Sequence, residues 1–67
     1  MLNKGMKLAT VKNQMKNRFN WWKLHEEWKF PTGEINLYYK HGKSTLVIFF
    51  DFAGRLGDTA YFEEVSQ

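Results

Sequence analysis

Leu8, Val11, Met15 and Phe19 are apolar at spacings of three, four and four residues, with Lys7, Lys12, Asn13, Lys16, Asn17 and Arg18 around them. One apolar stripe at a 3.6-residue period predicts an amphipathic helix over about 6–19. Asn3 is the candidate N-cap for an early start and Thr10 for a late one. Gly5 favours a frayed beginning.

From Glu34 onward the period becomes two. In EINLYYK, Ile35, Leu37 and Tyr39 alternate with Glu34, Asn36 and Tyr38, which predicts a strand over about 34–40. His41-Gly42 follows as a tight-turn signal, because glycine accepts the positive φ that short hairpin turns need. STLVIFFDF is apolar on both faces, as expected of a central strand over about 43–52. AGRLGD, residues 53–58, reads as a wide glycine-rich turn, and TAYFEEV as a last strand over about 59–65. With Lys40 paired to Lys43, Leu37 faces Leu46 and Ile35 faces Ile48. Ile35, Leu37, Tyr39, Leu46, Ile48 and Phe50 then form one aliphatic face, a seat for the helix stripe.

NWWKLHEEWKF, residues 20–30, holds all three tryptophans and fits either period. Its aromatic content and the following Pro31-Thr32-Gly33, which is three-residue hairpin chemistry, favour a strand over about 21–30. With Phe30 opposite Glu34, the side chains of Trp22, Leu24, Trp28 and Phe30 join Tyr38, Val47 and Phe49 on the second sheet face. Trp21 then points to the helix side as core. The expected architecture is α+β: one N-terminal amphipathic helix packed on a three- to four-stranded antiparallel meander, in a single domain over 1–67. No second helix is predicted to cover the aromatic face, which the last strand or loop 53–58 could cap only in part.

Composition makes that face matter. A chain of about 60 residues buries only about 60% of the surface its unfolded form exposes. With no cysteine there is no disulfide or thiolate zinc site to compensate. Burial must come from the 12 aromatic residues or from a second subunit. The lack of cysteine suits the cytoplasm. MLNKGMKLAT has no apolar run of signal-peptide length and no segment is long enough to span a bilayer, so a soluble intracellular protein is expected.

The net charge of +3 is unevenly distributed. Residues 1–24 carry six basic and no acidic residues, whereas residues 25–67 carry four basic and seven acidic. Such asymmetry raises the expectation of an anionic partner. Lys12, Asn13, Lys16, Asn17, Arg18 and Lys23 are the candidates for a nucleic-acid contact, with stacking by the tryptophans and Tyr38. A solvated helix face explains the same lysines, and Glu26, Glu27 and Glu34 among the aromatics would repel phosphate.

No enzymatic signature emerges. His25 and His41 belong to no ligand-spaced pair, so no metal or other cofactor is expected. His25 and Glu26 are strand neighbours and point to opposite faces. AGRLGD lacks the lysine and hydroxyl of a P-loop, and Ser44 and Ser66 lack a nucleophile-elbow context. His41 with Lys40, Lys43 and Arg55 is the one set that could serve a small ribonuclease-type toxin. The expectation is instead a non-enzymatic interaction protein, with Trp22, Trp28, Phe30, Tyr38 and Phe49 binding a protein partner or a second copy in a homodimer. The style of the chain suits an accessory or inhibitor protein of a phage or mobile element; no motif assigns a family.

Overall fold

The computed structural model describes residues 2–65; Ser66 lies outside them. One helix, α1 (Leu8–Asn17), precedes four strands: β1 (Lys23–Lys29), β2 (Ile35–His41), β3 (Ser44–Phe50) and β4 (Leu56–Glu63). The strands form one antiparallel meander in the order β1-β2-β3-β4. The shortest dimension is 17 Å, one helix layer on one sheet. The α+β fold expected from the two apolar periods is the fold observed.

The helix is shorter than 6–19 because its flanks have other partners. Met6 is drawn into extended pairing: its carbonyl accepts from Leu56 N at 2.8 Å, while Gly5 N donates to Leu56 O at 2.7 Å. Lys7, not Asn3 or Thr10, is the N-cap, and no side chain caps it. The stripe behaves as its spacing predicts, with Val11 and Met15 fully buried and Leu8 and Phe19 partly so. The core they enter is Leu37, Tyr39, Ile48, Phe50 and Leu56. Every one of these except Leu56 belongs to the expected aliphatic face or to the helix stripe.

Register differs from expectation by two residues in the central hairpin. The loop is Gly42-Lys43 between His41 and Ser44, so Leu37 faces Ile48, Ile35 faces Phe50 and Tyr39 faces Leu46. Gly42, with φ +59°, takes the first loop position, the sign required there by a type II′ turn. A shift of two preserves strand parity, so the same residues share each face.

The two outer hairpins use one loop design. Phe30 N donates to Glu34 O and Gly33 N to Phe30 O, both at 2.9 Å. Asp51 N likewise donates to Arg55 O at 2.8 Å, and Gly54 N to Asp51 O at 2.9 Å. Each is a three-residue loop with a positive-φ glycine third, Gly33 at +95° and Gly54 at +78°. The Asp51 carboxylate secures the second loop by accepting from Ala53 N and Arg55 N, both at 3.0 Å. The expected wide turn over 53–58 is therefore only Phe52-Ala53-Gly54. β4 starts at Leu56 rather than 59 and ends at Glu63, with a bulge at Gly57 between the pairs Phe50–Leu56 and Phe49–Asp58.

A stability series follows from these glycines. Gly42→Ala meets no atom within 4 Å, and a methyl on Gly33 makes only an ordinary 3.5 Å contact with Phe52. Their cost is thus the positive φ alone, about 1–2 kcal/mol each. Gly57→Ala, with no positive φ and 3.8 Å to Phe49 O, should change stability by less than about 0.5 kcal/mol. Urea unfolding of the three variants measures this, and equal effects at all three positions would contradict it.

β1 holds the largest departure. Leu24 pairs with Tyr39 but Glu26 pairs with Tyr38, so His25 is an extra residue, a bulge. Beyond it Glu26 and Trp28 lie on the face away from α1, as expected of Trp28. Before it the parity inverts: Leu24 lies with Tyr39 on the helix side, not with Trp28. Trp22 also packs against the helix-side core, its ring edge-on to His41 (5.9 Å) and Tyr61 (6.3 Å). Trp21, expected in the core, is 49% exposed and touches Phe19 edge-on at 5.7 Å. The roles of Trp21 and Trp22 are thus exchanged, because the chain leaves the helix through a turn and enters β1 only at Lys23.

Candidate functional site

Among the described residues, nothing forms a second layer on the sheet face opposite α1. Strand register assigns its residues in rows: Trp28, Asn36, Phe49 and Asp58; then Glu26, Tyr38, Val47 and Ala60; then Lys23, Lys40, Thr45 and Phe62. Tyr38, Val47 and Phe49 form the apolar centre, Trp28 and Phe62 lie on the edge strands, and Glu26 and Asp58 carry charge at the margins. Val47 is only 3% exposed although no helix lies over it, being enclosed by its larger neighbours Tyr38 and Phe49. Trp28 is 53% and Phe62 58% exposed. These are large apolar side chains contiguous with a buried floor, the arrangement of an interaction surface rather than of scattered exposed residues.

Polar groups on this face largely satisfy one another. The Trp28 indole N–H donates to Glu26 Oε2 at 2.7 Å, and Asn36 Nδ2 donates to Tyr38 Oη at 3.5 Å. A partner can cover the rings without orphaning the indole donor, which removes a penalty that burial of tryptophan often carries. Of the five interface candidates read from sequence, Trp28, Tyr38 and Phe49 stand together here, and Phe30 adjoins them beyond the end of β1. Trp22 does not: it is on the other side of the sheet. Val47, Ala60 and Phe62 complete the face. The signal for Phe62 was its alternation with Ala60 in TAYFEEV.

The basic candidates on α1 lie elsewhere, and only Lys23, opposite Lys40, falls on this face. Lys12 is tied to Glu27 by a salt bridge of 2.5 Å. Asn17 Nδ2 donates to Asn13 Oδ1 at 3.0 Å, so the two amides engage each other. Lys16 and Arg18 are exposed at the end of α1, and Lys23 opens β1. A surface combining this helix with stacking on Trp28 and Tyr38 does not form, because the sheet separates them.

The toxin-like set does not assemble either. His41 sits under Trp22 on the helix side, while Lys40 alternates to the other face. Arg55 follows the far end of β3, about 20 Å away by strand rise, and its Nη1 donates to Gly5 O at 3.0 Å. Ser44 Oγ is within 3.0 Å of Tyr61 Oη, a hydroxyl pair rather than a nucleophile with a base. Among the described residues no group of three or more His, Asp or Glu side chains could hold a metal ion. Nor is any helix there long and apolar enough to cross a membrane.

One titrating cluster stands between α1 and β1. The hydrogen bond from Lys12 holds the Glu27 carboxyl below its usual range, against partial desolvation; Lys29, at 3.7 Å, adds to the lowering. Burial, then the Glu27 charge, pushes the Tyr39 phenol up. A depressed carboxyl pKa stabilises the fold above the usual value near 4.5 and loses that contribution as pH falls through the folded pKa. Because Lys12 is 39% exposed, solvent screening limits the pair to less than about 1 kcal/mol. Glu27→Gln should therefore destabilise at neutral pH by up to that amount, with the difference vanishing at acid pH. Chemical denaturation of both proteins across pH tests this, and a difference that grows on acidification would contradict it.

No protein-family model matches the chain, and neither a curated protein nor a solved structure matches it.

Proposed function

We propose that this chain is a small non-enzymatic interaction protein of the cytoplasm that self-associates through its open aromatic sheet face, the occupant being a second copy. The observation that carries this reading is the uncovered face itself, with Trp28 and Phe62 around a buried Val47. Four strands of about seven residues give a face about 19 Å by 23 Å. With side-chain relief, a pair buries on the order of 1,000 Å², the lower bound of a specific interface. Aligned sheets stack about 10 Å apart with their rings interdigitated.

Charge selects the symmetry. Lys40 lies at the β2–β3 hairpin end of the face, whereas Glu34 and Asp58 lie toward the opposite end. A two-fold axis parallel to the strands superposes like ends and sets lysine on lysine. An axis across the strands superposes opposite ends and brings Lys40 of one copy toward Glu34 of the other. Both arrangements are isologous and closed, as a dimer requires, and charge favours the second. Rim charges set orientation more than affinity, so Lys40→Glu should weaken dimerisation about five- to tenfold. Adding Glu34→Lys should restore it. Fluorescence dilution experiments on the two variants measure this; a double variant weaker than the single would contradict the arrangement and favour the axis parallel to the strands.

A further inference from the structure

On the other side of the sheet, a groove of about 320 Å³ runs between α1 and β1. Its floor is Met15, Trp22, Leu24 and Tyr39, and its lining includes Lys12, Lys16 and Lys23. From these residues we infer that the groove and the free edge of β1 together bind an extended acidic segment of a partner protein, added to the sheet as a fifth strand.

Three observations support this site. β1 is an edge strand, hydrogen-bonded to β2 alone; among the described residues no backbone hydrogen bond uses its outer side. An unpaired edge offers amides and carbonyls at strand spacing, which a peptide backbone matches and a phosphodiester does not. Next, the His25 bulge builds the groove. Without it Leu24 would share the face of Trp28; with it Leu24 turns to the helix side and remains 47% exposed there. Bulges recur where a side chain is re-aimed for a site. Finally, the charge is complementary. Glu27 is the acidic side chain on this shelf, and Lys12 and Lys29 both engage it. Lys16 leaves the rim positive, and Lys23 borders the groove from the start of β1. A segment paired to β1 points alternate side chains at the groove, so apolar residues meet Leu24 and Trp22 while acidic ones meet the lysines. The bulge keeps the pairing short. The site is independent of the aromatic face and of any dimer formed through it.

The test is selection of a displayed library of random ten-residue peptides on the full chain, followed by titration of the enriched sequences as synthetic peptides. Enrichment of acidic residues interspersed with large apolar ones is expected. Their Kd should rise at least tenfold with Lys16→Glu and with Leu24→Glu, and stay unchanged with Lys4→Glu, the same charge change on the β4 side. Both tested positions are exposed, so the variants fold, and circular dichroism checks that they do. Backbone N-methylation at alternate peptide positions should abolish binding. An empty selection, enrichment of basic or neutral sequences, or binders indifferent to both substitutions would overturn the inference. So would tighter binding of an oligothymidylate than of any peptide, lost in Lys16→Glu, which would assign the groove to nucleic acid.

Discussion

Phe50→Ala should leave the chain mostly unfolded at 25 °C. Phe50 is 2% exposed, among the largest fully enclosed side chains, and it packs with Val11, Met15, Leu37 and Ile48. Truncating such a phenylalanine removes its transfer free energy and leaves a cavity, about 3–5 kcal/mol together. Below about 70–80 residues a single core rarely supplies more than about 3–5 kcal/mol, and this chain has no disulfide to add. The expected loss matches the whole margin. Phe52→Ala is the control, since Phe52 is 79% exposed at a loop tip and its loss should cost less than about 0.5 kcal/mol. Far-ultraviolet circular dichroism with urea titration separates the two. A cooperative transition for Phe50→Ala within a fraction of a molar of the parent midpoint would contradict this picture of the core.

Trp28→Glu should have the converse effect, keeping the fold while weakening dimerisation at least a hundredfold. Trp28 is half exposed in the monomer and contributes little to the helix-side core, so its replacement leaves Val11, Leu37 and Ile48 untouched. In the stacked pair the same position, on the β1 margin of the face, is covered by the partner, so an unpaired carboxylate would be buried there beside Glu26. Burying a charge without a partner costs several kcal/mol, and about 2.7 kcal/mol already corresponds to a hundredfold change. Thermal melts check both halves. The variant's midpoint should be independent of protein concentration, while that of the parent rises with it. A variant that unfolds outright would instead make the indole a structural residue of the monomer.

Strand parity was legible in β2 and β3 because each side chain there reports its face, and a two-residue register error leaves faces unchanged. Gly42 could be seen as a turn residue, but nothing in His41-Gly42-Lys43-Ser44 told a loop of His41-Gly42 from one of Gly42-Lys43. β1 was not legible beyond its second half. One extra residue inverts parity, and His25 looks like any polar residue of an alternating strand, so simple alternation puts Leu24 and Trp22 on the wrong side. Leu56 was hidden between Gly54 and Gly57, which together resemble a long loop, although it is buried core. The pairing of Gly5 and Met6 with Leu56 connects residues about 50 apart, which no local pattern can announce. For the candidate surface, Trp28, Tyr38 and Phe49 followed from alternation. The separation of this aromatic face from the basic helix did not, because it depends on which side of the sheet the helix occupies.

Sedimentation equilibrium of the parent chain from about 1 to 500 μM tests the open-face dimer most directly, on the micromolar affinity scale of modest interfaces. The mass should rise with concentration from 8.0 kDa to twice that value and no further, while Trp28→Glu stays at the monomer mass. A parent that remains at 8.0 kDa across the whole range, or a Trp28→Glu variant that dimerises equally well, would contradict self-association through this face.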